Sequence, residues 1–310
     1  GDADAICPRV CEMRPTTGSA GLLVQPKNGD GWTVTFENGE GEVEGQRETL
    51  CTVGNGRWAT RGALPECGAG DDHYPGTYVA GLYNRLPSQV SDRITEDESL
   101  VNVPNWLPFT IAAQDSPWLG EDSIEMLEDR HELDLRAGIL IRRFRFQDPA
   151  GRITRVEQRR FTHLERHEFA ALQTVITPEN WSGVLKIRSG IDAGVKNFGV
   201  PRYRQLGSHH LQVEDLRHVG HVALAITETI QSKVRIAVAA RLTLRDADGV
   251  IAGDRLTVHQ EIDDAWIGHE AHVTVVEGAS VIADKIAVLT TSRDAATSSP
   301  EESALTLLSM

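Results

Sequence analysis

The sequence predicts an all-β protein, a large antiparallel β-sandwich of two multi-stranded sheets. From Leu133 onward, apolar residues recur with the two-residue period of a strand and not the 3.6-residue period of a helix. Turn signals such as Asp148–Gly151 separate the alternating stretches. No helical stretches of ten to fifteen residues lie between the strands, and this excludes a parallel α/β fold.

The strands follow in order along the chain. Trp32–Phe36 is the first. Leu133–Phe146 and Ile153–Leu164 form a long hairpin around the Asp148–Gly151 turn. Further strands are predicted at Phe169–Ile176, Gly183–Ile191, Leu211–Leu216, Val222–Ile230, Val234–Leu244, Arg255–Ile262, His272–Val276 and Ala283–Thr291. With ten or more strands, two sheets packed face to face are expected.

Other segments are predicted to be irregular. Gly39–Gly45 is interpreted as turn-rich, and Gly54–Asp122, which holds six prolines, as long structured loops. Loops of this kind are usually functional or form interfaces. Ser123–Asp129 is expected to add one or two helical turns.

The C-terminus predicts a helix that begins near Pro300. Ser299 is the capping residue, Pro300 takes the first helical position and Glu302 the third. Such a short helix needs a surface to pack on, which missing sequence is expected to supply. We therefore divide the chain into an N-terminal tail or junction (1–20), the β-sandwich (21–294) and the start of a helical linker (295–310).

The composition excludes several functions. The 310 residues carry a formal charge of −14, which disfavours binding to nucleic acid or anionic membranes, and no apolar run could span a bilayer. The chain starts with neither Met nor a signal pattern. The four cysteines are too sparse for a disulfide scaffold, and the Cys7/Cys11 pair is interpreted as incidental thiols of a reducing cytoplasm. A cytoplasmic location is expected.

The sequence contains no recognisable catalytic motif. Phosphate-binding loops, nucleophile elbows and dinucleotide fingerprints are missing from the sequence, so no cofactor is expected. The pairs His163/His167, His218/His221 and His269/His272 lack suitable metal-ligand geometry, so no metal is expected. Glu96–Glu98 is the nearest acidic pair for glycosidic chemistry, but its polar neighbours favour a solvated loop.

Aromatic residues in the proline-rich segment give a different indication. Tyr78, Tyr83, Trp106 and Trp118 fall within it. They either cover a sheet edge or contact a sugar or a partner domain, and the sequence leaves both alternatives open.

Several motifs carry a resemblance to a known family. They are Gly54–Gly56, Thr60–Gly62, Tyr74–Asn84, Val103–Pro108, Glu132–Gly138, Arg155–Phe161, Thr177–Gly183 and Lys285–Arg293. In this order they resemble the N-terminal domain of glycoside hydrolase family 65. Arg57–Ala59 departs from the usual family pattern, which puts the local turn shape in doubt.

The resemblance implies a piece of a larger enzyme. The family comprises trehalose, maltose and kojibiose phosphorylases and some hydrolases; the phosphorylases cleave an α-glucoside with inorganic phosphate and release β-glucose 1-phosphate with inversion. Their catalytic residues belong to an α/α barrel, so none is assigned here. The sandwich supports the barrel, the dimer and the active-site rim, and candidate rim or interdomain contacts are Tyr78, Asn105, Trp106 and Trp118.

The favoured hypothesis is a noncatalytic sandwich whose partners are the missing barrel of the same polypeptide and a second copy of the chain. The parent enzyme would bind a disaccharide and inorganic phosphate. The alternatives are a free-standing carbohydrate-binding sandwich, the same domain from a family 65 hydrolase such as a trehalase, and a purely structural dimerisation module. Family likeness alone does not decide between them.

Overall fold

The computed structural model describes residues 31–37, 42–70, 72–90, 93–197, 207–252, 256–263, 265–295 and 299–310. The predicted junction at residues 1–20 lies outside the described residues. The helices are α1 (Glu42–Leu50) and α2 (Pro300–Ser309). The strands are β1 (Thr33–Glu37), β2 (Val53–Gly54), β3 (Trp58–Thr60), β4 (Thr77–Val90), β5 (Arg93–Asn102), β6 (Phe109–Ala113), β7 (Glu125–Asp134), β8 (Ile139–Gln147), β9 (Ile153–Thr162), β10 (Phe169–Pro178), β11 (Gly183–Asp192), β12 (Leu211–Val219), β13 (Val222–Thr229), β14 (Arg235–Asp246), β15 (Gly249–Val250), β16 (Leu256–Asp263), β17 (Trp266–Val275) and β18 (Val281–Thr291).

The described residues form three antiparallel sheets. The large sheet has the order β1-β7-β8-β9-β10-β18-β14-β13-β12, with β15 paired to β14. The small sheet has the order β16-β17-β11-β6, and the hairpin sheet β2-β3-β4-β5. Strands β11 and β17 of the small sheet lie against β13 and β14 of the large sheet. The predicted all-β antiparallel sandwich is therefore confirmed, with the hairpin sheet as a third sheet.

The centre of the large sheet is apolar on both faces. Along β14, Ile236 and Val238 face the core between the sheets, whereas the intervening Ala237 and Ala239 belong to a second buried cluster. Strands buried on both faces lose the polar alternation of a one-sided sheet. The second face therefore needs a cover of its own.

Helix α2 provides that cover. The Ser299 side chain accepts a hydrogen bond from Glu302 N at its start, so the predicted cap is present. Ala304 and Leu308 pack into the cluster that contains Ala237 and Ala239. The expectation that missing sequence supplies the helix's packing surface is wrong, because the large sheet itself presents an apolar face to it.

Lys285 bridges the two faces of the sandwich. It lies on β18 and is only 1% exposed. Its Nζ donates to Pro108 O at 2.9 Å and to Gly190 O at 2.6 Å, both on the small-sheet side. Burial lowers the pKa of Lys285 well below its ordinary value. Two carbonyl oxygens therefore satisfy two of the hydrogen-bond donors of this buried amine.

The segment Gly54–Asp122 contains β3 to β6 and is not simply loop. The sequence pattern does not predict strand β4, because the strand contains Pro87 and its register shifts between Tyr78 and Tyr83. Strand β3 pairs with Thr77–Val79 of β4, and among the described residues no further strand pairs with Pro87 on that side. Proline is tolerated at such an open edge.

Three further predictions are corrected. Gly45 lies inside α1, because buried charged side chains of this helix outweigh the low helix propensity of glycine. The predicted helical turn at Ser123–Asp129 is wrong, since β7 begins at Glu125 and pairs with β8. The continuous strand Leu133–Phe146 is broken by a turn in which Asp134 Oδ1 accepts from the backbone N–H groups of Arg136 and Ala137.

The cysteines also differ from expectation. Cys51 is a buried free thiol. Cys67 is disulfide-bonded, although the sequence indicates no disulfide scaffold.

Candidate functional site

Tyr78 lies half-buried on β4 beside a second tyrosine. Its hydroxyl is 2.5 Å from the Tyr74 hydroxyl, and the Arg61 guanidinium lies 5.3 Å from the centre of the Tyr74 ring. Burial and the neighbouring phenol raise the pKa of Tyr78 above its ordinary value. Tyr78 therefore stays protonated, and its hydroxyl can donate or accept in the hydrogen bond with Tyr74.

Asn105 and Trp106 are buried between β5 and β6. Asn105 forms an isolated β-bridge with Asp192, and its side-chain oxygen accepts from Leu107 N at 3.0 Å. The Trp106 ring packs edge-on against Trp58 with centroids 6.2 Å apart and is 0% exposed. In this structure the two residues hold the β5–β6 connection in place.

Trp118 lies on the outer face of the small sheet. Lys186 Nζ is 4.7 Å and Arg188 Cζ 4.4 Å from the ring centroid, so two cations contact its π system. Arg188 also pairs with Glu270 at 2.7 Å. Each of the four predicted contact residues thus has its own partners, and their role at a substrate rim or an interdomain contact stays a prediction.

An open groove of about 750 Å³ lies where α2 meets the end of β18. The β2–β3 turn, the β9–β10 loop and α2 form its walls; the lining includes Asn55, Arg57, His167, Glu168, Asp294 and Ser303. Asn55 Nδ2 donates to His163 O and His167 O, both at 3.0 Å, and so joins the turn to the loop. This explains why the sequence places an Asn between two glycines here.

The charges in the groove are paired. Arg57 contacts Glu168 at 3.0 Å and Asp294 at 2.5 Å. Asp294 also accepts from Thr291 N at 2.7 Å. A guanidinium held between two carboxylates makes a stable polar wall. Sequence analysis missed this cluster, because its three charged members are far apart in the chain.

A network of buried charges lies beneath α1. Glu44 and Arg47 form a bidentate pair one helical turn apart. Burial would raise the pKa of Glu44, but the Arg47 hydrogen bond and charge lower it below the ordinary value. Arg47 also donates to Gly62 O and contacts His131 Nδ1 at 3.0 Å. The helix is thereby tied to the segment that follows it and to β7.

Glu44, Glu48 and His73 have potential metal-ligand atoms within 4.8 Å of one another. The Glu44 carboxylate already accepts a hydrogen bond from Arg47, and the Glu48 carboxylate accepts one from Tyr74 N at 2.9 Å. Although burial opposes it, the hydrogen bond to Glu48 raises the pKa of His73. The donors and charges present suit an ion-pair cluster.

Four buried carboxylates of the described residues are engaged in ion pairs or backbone hydrogen bonds. Glu44, Glu48, Glu66 and Asp148 each accept a hydrogen bond from an arginine or a backbone N–H. Glu98 of the predicted acidic pair lies on β5 and pairs with Arg85. Glycoside cleavage needs two free carboxyl groups flanking a bond, and these groups are engaged otherwise.

The fold and these sites define a class: an antiparallel β-sandwich domain whose polar interior is built of structural ion pairs. A family model for the N-terminal domain of glycosyl hydrolase family 65 matches residues 34–310. The chain belongs to this family.

Its relatives are mostly longer proteins. The chain is 44% identical over 269 residues to the uncharacterized glycosyl hydrolase Rv2006 of Mycobacterium tuberculosis, covering 86% of this chain and 20% of that protein. It is 30% identical to the kojibiose phosphorylase of Caldanaerobacter subterraneus subsp. tengcongensis, covering 85% of this chain and 33% of that protein. The chain thus spans a fifth to a third of the length of these relatives.

A solved structure shares the fold. The "Putative kojibiose phosphorylase from human microbiome" superposes with a TM-score of 0.76 at 15% identity, covering 93% of this chain and 36% of that one.

Among the described residues, neither helix is long and apolar enough to cross a membrane.

Proposed function

We propose that this chain is the noncatalytic N-terminal β-sandwich of a family 65 α-glucoside phosphorylase. The parent protein would cleave an α-linked glucose disaccharide with inorganic phosphate and release β-glucose 1-phosphate, in the cytoplasm. The engagement of the buried carboxylates in ion pairs and backbone hydrogen bonds carries the noncatalytic part of the proposal. The relatives named kojibiose phosphorylase support the reaction class.

The domain would support an α/α barrel of the same polypeptide and contribute to a homodimer. The groove beside α2 suits the first role, because its ion-paired walls lie next to the last helix of the chain. Trp118 and Tyr78 are the partly exposed members of the four predicted contact residues, and Trp118 would reach a substrate or the barrel. Asn105 and Trp106 are buried and would support that contact surface from below. Tyr78 would contribute to the contact from β4.

A phosphorolysis assay tests the proposal. The purified chain is incubated with phosphate and kojibiose, trehalose or maltose, and glucose 1-phosphate is measured against a heat-denatured sample. We expect no release above that background. Sustained release would overturn the noncatalytic role.

A sugar titration tests the carbohydrate-binding alternative, which the exposure of Trp118 favours. Tryptophan fluorescence is followed as each disaccharide is added to the chain and to Trp118→Ala. We expect no saturable change in either protein. A saturable change that is lost in Trp118→Ala would favour a carbohydrate-binding module instead.

A further inference from the structure

Arg160 is a buried cation without an anionic partner. It lies on β9, is 4% exposed, and its Nη1 donates to Ala63 O at 3.0 Å. Its Nε has no hydrogen-bond partner, and no ion pair reaches it within the described part of the chain. Burial lowers the pKa of Arg160 to about 10. The guanidinium is therefore still charged at neutral pH.

Other arginines form ion pairs with the nearby carboxylates. Arg142 binds Glu66 at 2.5 Å and Asp129 at 2.8 Å, and Arg47 holds Glu44. The charge of the buried Glu48 acts to raise the pKa of Arg160, but among the described residues no carboxylate forms an ion pair with it. A buried charge without a partner is strongly unfavourable, so its compensation needs an explanation.

Two further titratable neighbours are uncharged. Burial raises the pKa of the Cys51 thiol to about 11, so no thiolate faces Arg160 at neutral pH. Burial, together with the Arg47 charge, lowers the pKa of His131 to about 4. Neither side chain can therefore serve as an anionic partner of Arg160.

Arg160 also lines a small cavity. Its volume is about 20 Å³, and Ala63, His131, Arg142, Gln158, Arg160 and Leu172 are among its lining residues. This is room for one water-sized particle. Oxyanions such as phosphate and sulfate are too large for it, whereas a halide ion is only slightly larger than water.

We propose that this cavity binds one chloride ion, held by the Arg160 guanidinium with the Gln158 side-chain amide as a second donor. The ion would accept a hydrogen bond from the unpartnered Arg160 Nε and join β9 to the segment that contains Ala63. Folding of the domain would then be linked to halide concentration. This inference is independent of the proposed function.

Thermal unfolding in two salts tests the proposal. The chain is unfolded in mixtures of sodium chloride and sodium gluconate at constant ionic strength. We expect the Tm to rise by about 2–5 °C as chloride replaces gluconate, with saturation, and bromide to act in the same way. Equal Tm values in the two salts would overturn the proposal.

Variants on one strand locate the site. Arg160→Met should abolish the chloride-dependent rise, whereas Arg159→Met, which removes a half-exposed arginine one residue earlier, should keep it. An unchanged rise in Arg160→Met would overturn the assignment. If that variant fails to fold, bromide-soaked crystals of the unaltered chain decide: an anomalous peak beside Arg160 supports the proposal, and an ordered water alone overturns it.

Discussion

At the scale of single residues, the interior of this domain is organised by arginines. Arg142 illustrates the arrangement: Nε and Nη2 bind the two oxygens of Asp129, Nη1 binds Glu66, and the guanidinium lies 4.1 Å from the Phe144 ring centroid. A planar fork of five donors can serve two carboxylates and a ring at once, which a lysine cannot do. The buried charges therefore make the packing of this region specific.

Removing the Arg142 fork should be costly. Arg142→Met leaves Glu66 and Asp129 buried without their cation, and we expect a loss of about 3–5 kcal/mol in the free energy of unfolding by urea. Arg143→Met is the matched control, because the neighbouring Arg143 pairs with Glu157 at the surface and should cost below about 1 kcal/mol. Equal losses in the two variants would contradict this account.

His269 should make the domain sensitive to acid. It is 5% exposed and its ring lies 4.6 Å from that of His218. Burial, reinforced by the neighbouring His218, His221 and Lys285, lowers its pKa to about 4. Because the unfolded chain binds this proton near pH 6.5, stability is fully present above that pH and is lost as the pH falls towards 4.

The expected contribution of His269 is about 2 kcal/mol of unfolding free energy lost between pH 7 and pH 5. His269→Gln should show a loss smaller by that amount when urea unfolding is measured at the two pH values. His259→Gln, at an exposed position of the same small sheet, should keep the wild-type pH dependence. An identical pH dependence in His269→Gln would show that the histidine takes up its proton in the folded state.

At the scale of elements, α2 is an integral layer of the fold. Its apolar side chains cover the face of β13, β14 and β18 that the small sheet does not reach. The capping Ser299 and the Pro300 that starts the helix orient it on that face. A ten-residue helix is not stable by itself in water, so its contacts with the sheet hold it.

Truncating the buried face of α2 should destabilise the domain. Leu308 is 3% exposed, and Leu308→Ala should lower the free energy of unfolding by about 2–4 kcal/mol. Thr306→Ala changes an exposed position of the same helix and should cost below about 1 kcal/mol. If Leu308→Ala cost no more than Thr306→Ala, the helix would be detached from the sheet in solution.

At the scale of the whole molecule, three sheets share one core. A single cluster of buried residues includes Trp58 of the hairpin sheet, Ile187 of the small sheet and Val238 of the large sheet. Lys285 adds polar contacts across the same space. No sheet keeps its apolar face covered if another one leaves.

The shared core predicts one unfolding transition. Tryptophan fluorescence, which reports on the side-chain core, and far-UV circular dichroism, which reports on the sheets, should change together in urea. Two separated transitions would mean that one sheet unfolds independently of the others.

The sequence predicts the sandwich and most strands from Ile153 onward because alternation is strong there, and it predicts the α2 cap from local chemistry. The sequence does not predict the features whose formation depends on contacts between residues that are far apart in the chain. The helix α1 depends on buried partners such as His131, which is 84 residues from Arg47. The ion-paired groove joins Arg57 to Asp294, a separation that no local pattern reveals.

Lys285 offers a practical reporter of how the domain opens. Its amine is sealed between the sheets, so an acylating reagent can reach it only when the sandwich separates. The rate at which mass spectrometry detects modification of this lysine would therefore measure the frequency of that opening. Modification of Lys285 would thus report only those opening motions of the native protein that separate the two sheets across the shared core.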